Sequence, residues 1–374
     1  MDTRVELQLR LIRARRTPLE RSIQGAPEAL VDSCRAYYAF MDELLADMLA
    51  DPAAYGMNPG ALEAHLKGRP YNLAQRQQPS KTQRLRTETQ DCFGTYARFL
   101  LLLGQQGELA GEGLRLSPQD WEAARQRFDR ALSGKGRNSD NRIPFPARLA
   151  ALERAGLRWR EAEGAMQITC PAHPEMFPAW QALARSALDP TVEPFGQQGF
   201  KAVDFRQAFC GHKPDYADVT QPLPPQARAA ADDLNAYLSF RRCYPACETF
   251  WKVNYRYRGE QVAQLSQEAQ GLIVRVNGVY RWEDQEGFNA LLAEQDPAFQ
   301  RFVLRHLCYC TACSTTHLGR FTQVLGYKKR VCGGGAIDIR ALNPTAEQLD
   351  PIKRFIDLRL EMIDRRKGAE RKKA

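Results

Sequence analysis

Apolar positions in the first half of the chain recur mostly at three- and four-residue intervals. In PEALVDSCRAYYAFMDELLADMLA (27–50), Leu30, Cys34, Tyr37, Met41, Leu44, Leu45 and Met48 share one helical face, and Pro27 suits the first turn. Before it, Val5, Leu7, Leu9 and Leu11 alternate, which predicts a short strand. Residues 56–81 read as a short helix and a Gly/Pro/Gln-rich loop, followed by a long helix over 83–104. Ser117-Pro118-Gln119-Asp120 is a helix start: a hydroxyl at the cap, Pro at the first turn and an acid three residues on. GKGRNSDNRIPFP (134–146) is a loop, ARLAALERAGL a short helix closed by Gly156, and LRWREAEGAMQITCP a hairpin turning at Gly164. Another helix is predicted over 174–188.

The second half changes period. After the Pro-rich VTQPLPPQA (219–227) and a helix at 226–241, FWKVNYRYRG alternates strictly. Trp251, Val253, Tyr255 and Tyr257 take one side of this strand, and Lys252, Asn254, Arg256 and Arg258 the other. QVAQLSQEA and LIVRVNGVY complete an antiparallel meander, and helices at 284–294 and 296–307 cover its apolar face. The polar side reads as the solvent face of a sheet or as the lining of an anion-binding groove. AIDIR is a further strand, and 345–366 a helix with a wide apolar stripe.

These patterns predict an α+β protein. A mainly helical N-terminal half covers 1–82 and a helical region at 83–190. A Pro-rich linker region (191–225) leads to an α+β meander domain (226–305) and a Cys-rich, zinc-ribbon-like segment with a final helix (306–374).

Charge sharpens the picture at the C-terminus. The net charge of +9 resides in residues 301–374, where 16 Lys and Arg face 7 Asp and Glu. A local positive field attracts phosphates, nucleic acid or an acidic partner. The opening residues lack a continuous apolar core of signal-peptide type, and no 18-residue apolar run exists, so a cytoplasmic protein with no membrane partner is expected. In that compartment the 10 cysteines are expected to be reduced.

The candidate chemistry is HLCYCTACSTTHLGR (306–320) followed by Cys332-Gly-Gly-Gly. Cys310 and Cys313 form a C-x2-C pair, and Cys332 arrives at a spacing seen in zinc ribbons. Cys308 or His317 completes a tetrahedron around a structural zinc, with His306 a poorer donor. Unligated thiols, a redox Cys310/Cys313 pair and an iron–sulfur cluster remain as alternatives. Cys243-Tyr-Pro-Ala-Cys247 is expected on a loop, because Pro245 excludes a helix interior. No nucleophile elbow, dinucleotide fingerprint or Walker motif is present, so no catalytic residue is assigned.

Two resemblances follow. The order helix, helix, helix, hairpin, helix over 85–190 resembles a winged-helix module, which implies DNA binding through Arg148, Arg154, Arg158 and Arg160. The tail, CxCxxC followed by CGGG and NPT…IKRFIDLR, is similar to that of uncharacterised bacterial proteins and implies no activity. The functional expectation is a zinc-stabilised protein contacting nucleic acid through those arginines and through Lys328, Lys329 and Arg330. The alternatives are an enzyme with its site between the meander and the cysteine segment, or a thiol-redox sensor.

Overall fold

A computed structural model describes residues 6, 9–10, 13, 16–57, 81–132, 144–187, 204–268, 271–279, 284–308, 320–331 and 337–373. The chain forms two compact units, one of residues 1–71 and 81–212 and the other of 72–80 and 213–374. The architecture is α+β, with helices and antiparallel sheets in both.

The first unit is built on three helices: α1 (Glu28–Ala50), α2 (Lys81–Gln106) and α5 (Phe177–Ala187). The stripe read from sequence is the buried one, with Cys34, Tyr37, Met41, Leu44, Leu45 and Met48 all inside. Trp180 of α5 donates its indole N–H to Leu100 O at 2.8 Å, which satisfies a polar group in an apolar place. Gly104 lets α5 approach α2: a Cβ there would stand 2.7 Å from Trp180 Nε1 and 2.8 Å from Ala184 Cβ.

Strands β1 (Glu108–Leu109), β2 (Gly113–Leu116), β3 (Arg158–Ala162) and β4 (Ala165–Thr169) form an antiparallel sheet of order β1-β2-β4-β3. Between β2 and β3 run α3 (Pro118–Leu132) and α4 (Phe145–Arg154). The α3 start is capped as its sequence predicts: Asp120 N–H donates to Ser117 Oγ at 3.2 Å, and Ser117 Oγ donates to Asp120 Oδ2 at 2.6 Å. Glu163 and Gly164 both take positive φ (51° and 68°), the two left-handed residues of a tight hairpin turn between β3 and β4.

Of the expected strand over 5–11, Glu6, Leu9 and Arg10 lie among the described residues, and they are not in a strand. Glu6, Leu9, Arg10 and Arg13 are helical, and Leu9 is buried. A helical period places Leu9 in the core, and this tertiary burial outweighs the short alternation.

The second unit is built around a five-stranded antiparallel sheet of order β11-β8-β7-β6-β5. Its strands are β5 (Tyr244–Thr249), β6 (Lys252–Tyr257), β7 (Glu260–Glu268), β8 (Gly271–Asn277) and β11 (Asp338–Leu342). Val253, Tyr255, Leu265, Val274, Val276 and Ile339 line the apolar face. In the same core lie side chains of α6 (Pro225–Phe240), α7 (Gln285–Ala293), α8 (Pro297–His306) and α9 (Ala346–Lys373). The meander and its covering helices thus match the periodicity that predicted them.

Cys243 and Cys247 do not share a loop. Cys247 lies within β5, and Cys243 immediately precedes it. Pro245 is tolerated because β5 is an edge strand, where a missing N–H breaks no ladder bond. Among the described residues no helix is long and apolar enough to cross a membrane.

Candidate functional site

The polar side of the five-stranded sheet is where the second unit gathers its chemistry. Cross-strand register sets Asn254 of β6 beside Gln264 of β7, Gln264 beside Arg275 of β8, and Arg275 beside Arg340 of β11. Asn254 is buried and accepts from Gln264 Nε2 at 2.7 Å, so this is a satisfied polar ladder rather than a simple solvent face. One row further along, Asn277 pairs with Asp338.

Asp338 is 1% exposed and forms an ion pair with Arg275. Burial pushes its carboxyl above the usual range, and the Arg275 guanidinium opposes that shift.

Asp338 also anchors the cysteine segment. Its carbonyl oxygen accepts from the Cys308 N–H at 2.6 Å, and Leu307 forms a β-bridge with Ile339. The chain therefore leaves the sheet at Cys308 and returns at Ile337, its two ends held side by side. In between stands an antiparallel hairpin, β9 (Arg320–Val324) and β10 (Tyr327–Val331). Asn289 Nδ2 of α7 donates to Gln323 O at 2.6 Å, and Val324 is fully buried, so the hairpin tip is docked on the unit. Leu325 and Gly326 make its turn with φ of 50° and 79°.

Of the expected metal ligands, Cys308 is described and half-buried; Cys310, Cys313, His317 and Cys332 lie outside the described residues. Burial, with the Asp338 charge second, pushes the Cys308 thiol up to about 11. Among the described residues no group of three or more His, Cys, Asp or Glu is placed to hold a metal. His306 is committed to packing at the end of α8: its ring stacks on Phe302 at 4.2 Å, and Nδ1 lies 2.9 Å from Phe302 O.

Of the expected phosphate-contacting residues, Lys328, Lys329 and Arg330 occupy β10, opposite Gln323, Thr322 and Phe321. The sequence 309–337 carries four cations (Arg320 and these three) and no Asp or Glu.

The arginines of the first unit fare differently. Arg148 of α4 is buried, its guanidinium 5.2 Å from the Phe128 ring centroid. Arg154 bonds Asp47 at 3.1 Å and lies over the Tyr55 ring. Arg158 donates to the carbonyls of Glu153 and Leu157. Arg160 is exposed on β3. The outward positions of α4 are Pro146, Ala147, Ala150, Glu153 and Arg154, a surface with few hydrogen-bond donors.

Sequence reasoning missed the β9–β10 hairpin. Its signal was present, with RFTQV and YKKRV flanking Leu-Gly, but the cysteines on either side drew the reading toward a metal knuckle alone. Comparison with known proteins finds no matching family model, no similar curated protein and no similar solved structure.

Proposed function

We propose that the second unit is a nucleic-acid-binding module, in which a structural zinc holds a basic two-stranded ribbon against the sheet. The observation that carries this reading is the acid-free stretch 309–337. Its four cations sit on a hairpin whose flanks return to adjacent points of β11. A two-stranded ribbon fits a nucleic-acid groove, and its Lys and Arg neutralise phosphates. Zinc suits the remainder of the excursion, which is rich in Cys and Gly and poor in apolar side chains and so needs a clip. Chain continuity places Cys332 next to Val331, the partner of Arg320, and His317 three residues before Arg320. Cys310, Cys313 and Cys332, completed by Cys308 or His317, are the four donors.

In this reading the protein acts in the cytoplasm, where its thiols stay reduced. The 81–187 region is a winged-helix-type module used for packing. Support for the module type is the placement of β4 between β2 and β3 after two helices. Support for a packing role is the inward turn of Arg148 and the Asp47 bond of Arg154. The redox alternative turns on Cys310 and Cys313, which lie outside the described residues; at Cys308, Cys243 and Cys247 burial pushes the thiols up to about 11.

The test has two arms. Metal analysis of protein purified without chelators is expected to give one zinc per chain, lost in Cys313→Ser. Anisotropy titration with labelled oligonucleotides is expected to show binding that weakens with salt. In a Lys328→Ala/Lys329→Ala/Arg330→Ala variant the log–log salt slope should fall by roughly 2–3, about 0.9 per lost phosphate contact. A metal-free chain with titratable thiols removes the zinc, and salt-insensitive or absent binding removes the nucleic-acid reading.

A further inference from the structure

At the edge of the sheet farthest from the cysteine excursion, the chain exposes two aromatic rings four residues apart. Phe240, the last residue of α6, is 80% exposed, and Tyr244, the first of β5, is 72% exposed. Between them α6 closes in a double turn: Cys243 N–H donates to Leu238 O at 2.8 Å, and Arg242 N–H donates to Ser239 O at 2.9 Å. The residue this turn places in the left-handed region is normally glycine; here it is Arg242, at φ 59°. A guanidinium thus stands at a left-handed position that costs an L residue some backbone strain.

Arg242 is exposed and makes no ion pair with a described residue, whereas its neighbour Arg241 is tied to Asp357 at 2.9 Å. Across the strand pair Tyr244 faces Arg256, which is 52% exposed and makes a long ion pair with Glu248 at 4.0 Å. Residues 240–247 (FRRCYPAC) contain no acid. Phe240, Arg242 and Tyr244 thus follow one another on the exposed connection from α6 into the edge strand, with Arg256 across from Tyr244. The same edge is closed to an added peptide strand, because Pro245 removes a donor and the β5–β6 register shifts between Cys247 and Thr249.

We infer that this ridge is a stacking platform for the bases of single-stranded nucleic acid, with Arg242 and Arg256 holding the backbone phosphates. Exposed π faces stack on bases that are splayed out, whereas a duplex hides its base faces in its own stack. The inference rests on the nucleic-acid reading above but on different residues. β5 and β11 are opposite edges of the sheet, four strand spacings or about 19 Å apart. Ridge and ribbon would therefore hold different nucleotides of one strand.

The experiment uses the full chain and three labelled probes of about twelve nucleotides, inside the site sizes typical of such platforms. They are oligothymidylate, the same length of abasic sugar–phosphate chain, and a duplex. Oligothymidylate is expected to bind more tightly than either other probe. Phe240→Ala and Tyr244→Ala should each weaken it by about 5- to 150-fold while leaving the abasic chain unchanged. Arg242→Gly relieves the left-handed residue, so its melting temperature should hold or rise while the salt slope drops by about one.

Equal affinity for thymidylate and the abasic chain, or ridge variants that bind like wild type, overturns the inference. In that case a loss of binding in the β10 triple variant still upholds the ribbon. Ridge effects without a triple-variant effect sink the ribbon and keep the ridge. No binding of any probe sinks both and leaves the ridge as a surface for a protein partner.

Discussion

Glu260 opens β7 and stands between two guanidiniums of α9: its Oε2 lies 2.9 Å from Arg359 Nη2, and its Oε1 pairs with Arg366. The Arg359 side chain is 1% exposed, that of Arg366 is 11% exposed and that of Glu260 is 20% exposed. Arg366 also pairs with Asp284 at 2.6 Å. Glu260→Ala would take one carboxylate from Arg366, which keeps Asp284, and the hydrogen-bonded carboxylate from Arg359, whose charge then acts on Asp338 at longer range. Removing one partner of a buried pair costs about 3–5 kcal/mol, because the other charge stays desolvated. For a unit of this size that is roughly a 6–20 °C fall in the melting temperature of its transition.

Urea unfolding followed by circular dichroism measures the loss directly, with the m-value expected to hold. A Glu260→Ala/Arg359→Met double variant should recover much of it, since replacing both ions by apolar groups is near neutral. A single-variant loss under about 1 kcal/mol, or a double variant worse than the single, would refute the assignment of this pair as a buried, coupled charge.

Gly104→Ala gains helix propensity but drives a Cβ to 2.7 Å from Trp180 Nε1. The net loss should be about 1–3 kcal/mol, with a changed near-ultraviolet signal from Trp180. Burial pushes the Cys34 thiol up to about 12 and that of Cys243 up to about 11, above the ordinary value near 8.5. Thiols that hold their protons more tightly when folded stabilise the protein fully below pH ~8.5, and that contribution is lost as pH rises through ~11–12. Denaturation midpoints should accordingly fall over that alkaline window, and less so in Cys34→Ala relative to its own neutral-pH value. Native protein at pH 8 should alkylate slowly at both cysteines, and fast alkylation there would contradict their burial.

Much of the architecture was legible because it is written in local periods. The 3.6-residue stripe of 27–50, the Ser117 cap and the strict alternation of 252–257 each record a face that water must not touch. The acid-free, Cys-rich run 309–337 was equally plain, since charge and thiol content need no fold to be read.

Other features depend on which distant segments meet. Leu9 became helical because a core was there to bury it. Arg148 resembles a DNA contact in sequence and is an inward-facing arginine in the fold, since the Phe128 ring beside it lies on another helix. Cys243 and Cys247 were assigned to a loop because Pro245 is a local breaker; only the sheet order makes β5 an edge, where the missing donor costs nothing. The clamp of Cys308 on Asp338 and the ridge at Phe240, Arg242 and Tyr244 arise in the same way. Periodicity fixes which face of an element is apolar, but pairing across long chain separations fixes what that face meets, and no local pattern encodes the partner.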